Sequence, residues 1–252
     1  MKGAAWATPI VAVSVAAPAL AASPVCETED VTLNWGLAQY TGTPSTTSPF
    51  TTTVTFDPTS SSGAFPELES PFSATIRHTY YGNARGTASN GTITSFPVGG
   101  IGQVGYDIRQ QIGATGSTTP TTSDYQTIVF TFSEPVSNLR FSITDIDRTW
   151  TSTVHDFIDG VSLTSPAAFT YSVPSGSTVA GAGPVSSPWQ NSVEGNTSED
   201  GPGGQIDITF TAPVQTFTIR YDNLGRQSIT RGYNNDQAIF VTGFRTNRHT
   251  QC

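Results

Sequence analysis

The chain has 252 residues, of which only 12% are charged, and its formal net charge is −8. An acidic balance of this size argues against nucleic acid and anionic membrane surfaces as partners. Serine, threonine and glycine take the place of the missing charge, as is common in secreted β-proteins. The length suits a single β-sandwich with its own hydrophobic core.

The first segment, residues 1–21, is predicted to be an export signal. Lys2 gives a positive start, an apolar stretch begins at Ile10, and Ala19-Leu20-Ala21 is a small-residue cleavage site. Two alternatives stay open: the true start lies upstream, or residues 4–22 form a core helix.

Cleavage after this signal would leave one domain, residues 22–252, that contains no lysine. No later apolar run approaches the roughly 20 residues that span a bilayer. We therefore expect no membrane span in the mature chain and a location that is secreted or at the cell surface.

The two cysteines of the chain, Cys26 and Cys252, would then stand near the two ends of the mature protein. Disulfides persist in exported proteins. The sequence therefore predicts a Cys26–Cys252 disulfide that joins the first strand to the last.

Strands with alternating apolar residues follow the signal in chain order, and threonines fill many of the intervening positions. The predicted strands before the middle of the chain are Val31 to Leu37, Phe50 to Phe56, Phe72 to Tyr81 and Val104 to Ile112. No segment keeps a period of 3.6 residues, so we predict no mature helix longer than about two turns.

An internal repeat gives the strongest pattern. Residues 128–147 and 206–225 align without a gap, and each reads as a strand, a Pro-Val corner and a second strand. Pro135 and Pro213 cannot donate to a β-ladder, so each should mark the point where the chain leaves one strand. Two such units fit a two-sheet antiparallel β-sandwich, with each unit passing between the sheets or forming a hairpin.

The repeat region resembles a group of secreted actinobacterial β-sandwich proteins of unknown function. The motifs are F-T-F-x-x-P-V-x-x-L-x-F-x-I-T-D-I-D at 130–147, T-Y-x-V-P-x-G-S-T-V-x-G-x-G at 170–183 and F-x-x-P-V-x-x-F-x-I-x-Y-x-N at 210–223. The likeness covers roughly 128–245, and it implies a jelly-roll type of sandwich. Such proteins resemble surface and carbohydrate-binding modules in pattern, and the group carries no known activity.

Aspartates after the first repeat unit are candidate metal ligands. Asp145 and Asp147 continue the parity of the core-facing residues before them, so both should lie on the inward side as the strand ends. With Asp156 and Asp159 they would offer four oxygen donors suited to Ca²⁺. The alternatives are pairing with an arginine and capping of turns at the strand end. The arginine candidates are Arg140, Arg148 and Arg220.

The sequence patterns that would indicate catalysis are weaker than those that indicate a metal site. The three histidines are scattered, and no Gly-x-Ser-x-Gly elbow is present. Glu67 and Glu69 could form a glycosidase pair in principle, although carboxylate separation cannot be taken from sequence. A glycan-active hydrolase is therefore the least favoured function, and no catalytic residue is assigned.

Aromatic residues in or beside loops are the remaining indication of function. Trp150, Trp189 and Tyr233 could stack on sugar rings or anchor a partner, whereas the plainer interpretation is core packing. We expect a secreted, non-enzymatic binding module for a glycan or cell-envelope polymer. The alternative is a structural envelope protein that associates with copies of itself.

Overall fold

The structure is a computed structural model that describes residues 28–43, 45–60, 71–113, 118–195, 197–230 and 237–249. Its helical elements within these ranges are two short 3-10 turns, Trp35–Leu37 and Pro202–Gly204. The strands are β1 (Thr28–Leu33), β2 (Gln39–Thr41), β3 (Phe50–Phe56), β4 (Thr59–Ser60), β5 (Phe72–Tyr81), β6 (Ala84–Arg85), β7 (Ile93–Val98), β8 (Gln103–Arg109), β9 (Gln111–Ile112), β10 (Tyr125–Thr144), β11 (Arg148–Trp150), β12 (His155–Thr164), β13 (Phe169–Ser172), β14 (Val179–Ala180), β15 (Gln190–Asn191), β16 (Ile206–Phe210), β17 (Val214–Asn223), β18 (Ala238–Val241) and β19 (Phe244–His249).

These strands pair antiparallel, and most of them form two facing sheets, which confirms the predicted antiparallel β-sandwich. β6 pairs with β9 and β14 pairs with β15 in two small separate sheets. Sheet I runs β13–β16–β10; β18 and β19 then lie beside β10, followed by β8 and β7 next to β18 and by β1 and β4 next to β19. Sheet II runs β2–β3–β5–β10–β17–β12, with β11 at its edge. In the described part of the chain, no helix is long and apolar enough to cross a membrane.

Strand β10 belongs to both sheets. Its first half, up to Phe132, pairs with β5 and β17 in sheet II, and its second half, from Ser137, pairs with β16 and β19 in sheet I. The register shifts between Thr131 and Val136, where Pro135 lacks the N–H that a continuous ladder would need. The proline corner therefore lies where the chain changes sheets.

The second unit of the repeat makes the same crossing in the opposite direction. β16 lies in sheet I and β17 lies in sheet II, and each pairs with the half of β10 in its own sheet. Phe132 and Phe210, which hold matching positions in the two units, are both buried, as the repeat predicts. The two units thus pair with each other along most of their length.

Aromatic rings from both sheets fill the core. Phe130 of β10 stacks on Phe217 of β17 with ring centroids 4.8 Å apart, and Phe244 of β19 meets Phe130 edge-on at 6.1 Å. Trp35 packs against Phe56 at 5.0 Å and against Phe244 at 5.3 Å. Because these rings come from both sheets, they hold the sandwich together at its centre.

The first predicted strand is shorter than expected. β1 ends at Leu33, and the Asn34 side chain accepts a hydrogen bond from Gly36 N at 2.8 Å, which closes a 3-10 turn. Trp35 stays in the core, with its indole N–H donating to the Thr242 carbonyl at 2.9 Å, whereas Leu37 is 58% exposed. The alternation predicted through Leu37 is therefore wrong at its last position.

Candidate functional site

Three of the predicted aspartates lie together at one end of the sandwich. β10 ends at Thr144, and Asp145 adopts a φ of +62°, in the left-handed region, as the chain turns. Asp145 and Asp147 are 6% and 2% exposed, and Asp159 of β12 is fully buried. The expected inward placement of Asp145 and Asp147 is confirmed.

Thr197 bridges the first two carboxylates. Its backbone N–H donates to Asp147 Oδ2 at 2.7 Å, and its hydroxyl donates to Asp145 Oδ1 at 3.1 Å. Asp147 Oδ2 also lies 3.4 Å from that hydroxyl. A single residue of the loop before the second repeat unit therefore partners both aspartates.

Asp159 has partners of its own. Its Oδ1 accepts a hydrogen bond from the Tyr221 hydroxyl at 2.6 Å, and its Oδ2 accepts one from the Asp147 N–H at 3.1 Å. The Asp159 N–H donates in turn to the Asp147 carbonyl at 3.0 Å. Asp159 is thus fixed to both β17 and the turn after β10.

The electrostatics of this acidic cluster (Asp145, Asp147 and Asp159) favour bound protons. Burial, together with the nearby charge of Asp147, raises the pKa of Asp145 to about 8. Burial raises the pKa of Asp147 to about 7, and burial with the Asp147 charge raises the pKa of Asp159 well above its usual range. Near neutral pH the cluster therefore retains protons that exposed aspartates would have released.

The interpretation that an arginine pairs with Asp145 and Asp147 is wrong. No ion pair within the described residues includes either aspartate. Arg140 pairs with Asp30 at 2.8 Å, and Arg220 pairs with Asp222 at 2.7 Å. The partners of the Asp145 and Asp147 carboxylates are the hydroxyl and backbone N–H of Thr197 instead.

Calcium binding stays a prediction. Asp156 is buried on β12 near the acidic cluster in sequence, and its carbonyl accepts from Asn223 Nδ2 at 3.0 Å. Among the residues that the structure describes, no group of three or more His, Cys, Asp or Glu is arranged to hold a metal ion. If calcium does bind, millimolar calcium should raise the melting temperature, and Asp147→Ala should remove the rise.

The two aromatic candidates that the structure describes, Trp150 and Trp189, do not form a platform. Trp189 is fully buried, so the expectation that it is exposed to a ligand is wrong. It forms a bridge with Val161 of β12, and a Cβ atom at Gly183 would come within 2.4 Å of its indole. Trp150 is half-buried and stacks on His155 with centroids 4.7 Å apart. Tyr233 lies outside the described residues, as do both cysteines.

The sequence reasoning missed a groove on the outer face of sheet I, with a volume of about 510 Å³. Its lining is mainly polar and comes from β1, β8, β10, β13, β16, β19 and the loops beside them. The lining residues are Thr32, Ile101, Gln103, Arg140, Phe141, Ser142, Ser172, Asp207, Ile208, Thr209, Thr242, Gly243 and Arg245.

Two cross-strand rows of side chains make up the floor of this groove. The first row follows the register Thr32–Arg245–Arg140–Thr209, and the second follows Ser142–Asp207–Ser172. The signal was present in the sequence, because Arg140 and Ser142 alternate with the core residues around them. The order of the strands is also needed to locate the groove, because it places these two rows side by side.

Hydrogen bonds fix the second row. The Ser142 hydroxyl donates to Asp207 Oδ1 at 2.6 Å, and the Gln205 amide donates to the same oxygen at 2.8 Å. The groove therefore has one ordered carboxylate at this side and the two arginines at the other.

No protein-family model and no curated protein matches the chain. Two solved structures of the adhesin domain of PrgB from Enterococcus faecalis are similar to it. The structure bound to DNA aligns with 83% of this chain and 70% of its own, at a TM-score of 0.44 and 9% identity. The second structure, described only as the adhesin domain, aligns with 83% of this chain and with 66% of its own chain, at a TM-score of 0.41 and 10% identity. A similarity at this level does not indicate what this chain binds.

Proposed function

We propose that the chain is a non-enzymatic binding module that acts outside the cell or at its surface and holds a glycan or cell-envelope polymer. The observation that carries the proposal is the groove on sheet I. It lies across a sheet face instead of inside the sandwich, so an extended polymer could pass through it without either end entering the core.

The lining suits a hydroxyl-rich ligand. Side-chain hydroxyls, the Gln103 amide, a carboxylate and two guanidinium groups are available in the lining, and each can donate or accept hydrogen bonds. Ile101, which is 41% exposed at the border of the groove, offers an apolar surface for the C–H face of a sugar.

The catalytic alternative would need two carboxylates that face one cleft. Among the described residues, the groove lining contains one, Asp207, and the three aspartates of the acidic cluster are buried elsewhere. Glu67 and Glu69 lie outside the described residues. Self-association through sheet edges is not favoured either, because the edge strands β2 and β13 are only three and four residues long and the six-residue edge strand β7 contains Pro97.

The test is a glycan-array and polymer-binding assay on the mature chain and two matched variants. Thr209→Trp places a large ring in the groove, and Thr75→Trp places the same ring on the exposed face of β5 in sheet II. Tryptophan suits strand positions, so both variants should fold.

We expect Thr209→Trp to lose binding and Thr75→Trp to retain it. Equal binding by both variants would exclude the groove as the site. If the unaltered chain binds no polymer in the assay, the proposed function itself is rejected.

A further inference from the structure

We infer that the ligand of the groove is an acidic polysaccharide whose anionic groups are held by Arg140 and Arg245; this inference rests on the proposed function. The two arginines lie directly opposite each other on β10 and β19. Like charges at such a position repel each other and destabilise the strand pair. A pairing of this kind needs a negative group to offset it.

The protein supplies only part of that negative charge. Arg140 Nη2 lies 2.8 Å from Asp30 Oδ1, while Arg140 Nε is buried and has no hydrogen-bond partner among the residues that the structure describes. Arg245 is exposed and forms no ion pair with any residue in the described ranges. Its neighbour on the other side is Thr32, which carries no charge.

The acidic side chain of the groove lining does not neutralise the arginines. Asp207 is the partner of Ser142 and Gln205, one row away from the arginines. Within the described part of the chain, the Arg245 guanidinium therefore has no counter-charge, and it lies in a groove that is open to solvent. A carboxylate, sulfate or phosphate on a bound chain would meet both arginines, and charge-assisted hydrogen bonds of this kind are the strong ones.

A polysaccharide fits this groove better than a nucleic acid does. Phe141, the one aromatic residue among the described lining residues, is 5% exposed, so these residues present no ring on which bases could stack. The net charge of −8 would also repel a densely charged polyanion outside the groove. A sugar chain with spaced anionic groups combines local attraction with less of this repulsion.

The experiment compares Arg245→Gln with Arg77→Gln, which makes the same charge change on the exposed face of β5. The unaltered chain and both variants are each titrated with five polymers. The polymers are polygalacturonate, its methyl ester, dextran sulfate, neutral dextran and duplex DNA. Polygalacturonate and its ester share a backbone and differ in charge, and the sulfate tests a second kind of anion.

We expect the unaltered chain to bind at least one acidic polymer about tenfold or more tightly than its neutral counterpart. Arg245→Gln should remove that preference and Arg77→Gln should keep it, and added salt should weaken the binding. The melting temperature of Arg245→Gln should be unchanged or higher, because a repulsion is removed.

Three outcomes would overturn the inference. The first is equal binding of acidic and neutral polymers by the unaltered chain, and the second is an unchanged preference in Arg245→Gln. The third is tighter binding of duplex DNA than of either acidic polysaccharide. If neutral polymers bind and Thr209→Trp abolishes that binding, the proposed function stands and only the acidic ligand is rejected.

Discussion

At the residue scale, the contact between Tyr221 and Asp159 joins two strands of sheet II through their side chains. Both residues are fully buried, and the hydroxyl of Tyr221 is 2.6 Å from Asp159 Oδ1. The same burial, together with the nearby charge of Asp159, raises the pKa of Tyr221 well above its usual range. Tyr221 therefore stays protonated and remains a donor across the whole working range of pH.

Removing this donor should destabilise the protein. Tyr221→Phe keeps the ring and leaves Asp159 Oδ1 buried without its partner, which should cost about 1–3 kcal/mol of unfolding free energy. Urea denaturation followed by tryptophan fluorescence measures the change. Tyr171→Phe is the control, because that tyrosine is 40% exposed and its loss should cost little. A Tyr221→Phe variant as stable as the unaltered chain would contradict the role given to this contact.

The acidic cluster makes a second prediction, for the dependence of stability on pH. The pKa of Asp145 is about 8 and that of Asp147 is about 7 in the folded chain, against about 3.9 for an unfolded aspartate. Between these values the folded chain holds protons that the unfolded chain has released. The stabilisation is therefore complete below about pH 4 and is lost as pH rises through 7 to 8.

The slope should approach about 1.4 kcal/mol per pH unit for each proton held only by the folded state. Denaturation midpoints at pH 5, 7 and 8.5 measure it. Asp145→Asn should flatten the dependence, whereas Asp57→Asn, at an exposed position, should leave it unchanged. A stability that rises steadily from pH 5 to 8.5 would be inconsistent with protonated aspartates in the cluster.

At the scale of elements, the two crossing units tie the sandwich together. Phe132 lies before the corner of the first unit and Phe210 before the corner of the second, and both are buried among other rings. The ring centroid of Phe217 lies 6.3 Å from that of Phe132 and 5.7 Å from that of Phe210. One ring of β17 thus receives a contact from each unit.

Each phenylalanine should accordingly carry a large share of the stability. Phe132→Ala and Phe210→Ala should each cost about 3–5 kcal/mol, the usual range for a buried phenylalanine. Leu37→Ala, at a position that is 58% exposed, is the control and should change stability by less than about 0.5 kcal/mol. A small loss in one phenylalanine variant and a large loss in the other would mean that the two corners are not energetically equivalent.

The elements also show how far the sequence could lead. Phe50–Phe56 and Phe72–Tyr81 have the predicted bounds, because their alternation is uninterrupted and turn residues stand outside them. Local side-chain chemistry explains the failure at Leu37, where Asn34 closes a turn. The prediction for Trp189 is wrong because a residue in a loop can fold back onto the core. The local pattern of apolar residues does not show this. Predicting the groove would have required the order of the strands in sheet I, and period-2 patterns do not determine that order.

At the scale of the whole molecule, the first and last described strands are neighbours. β1 and β19 pair antiparallel over their whole length, with Thr28 opposite His249. Cys26 precedes this pair by two residues and Cys252 follows it by three, although both cysteines lie outside the described residues. The register therefore brings the chain on either side of the predicted disulfide to the same end of one strand pair, which supports the Cys26–Cys252 prediction.

If the disulfide forms, it closes a loop that contains nearly all of residues 22–252. In the chain-entropy model this would remove about 5 kcal/mol of unfolded-state entropy, an upper figure because folded-state strain reduces it. Reduction should therefore lower the melting temperature of the oxidised protein, and a Cys26→Ser, Cys252→Ser variant should melt at the reduced value with or without reductant.

Mass spectrometry after alkylation in denaturant, without reductant, decides whether the bond exists. A monomer with no alkylated thiol is the expected result. Two alkylated cysteines would exclude the bond, and a covalent dimer would mean that each cysteine finds its partner in another molecule. In either of those cases β1 and β19 would be held together by their backbone hydrogen bonds and by Phe244 in the core, and reductant would leave the melting temperature of the monomer unchanged.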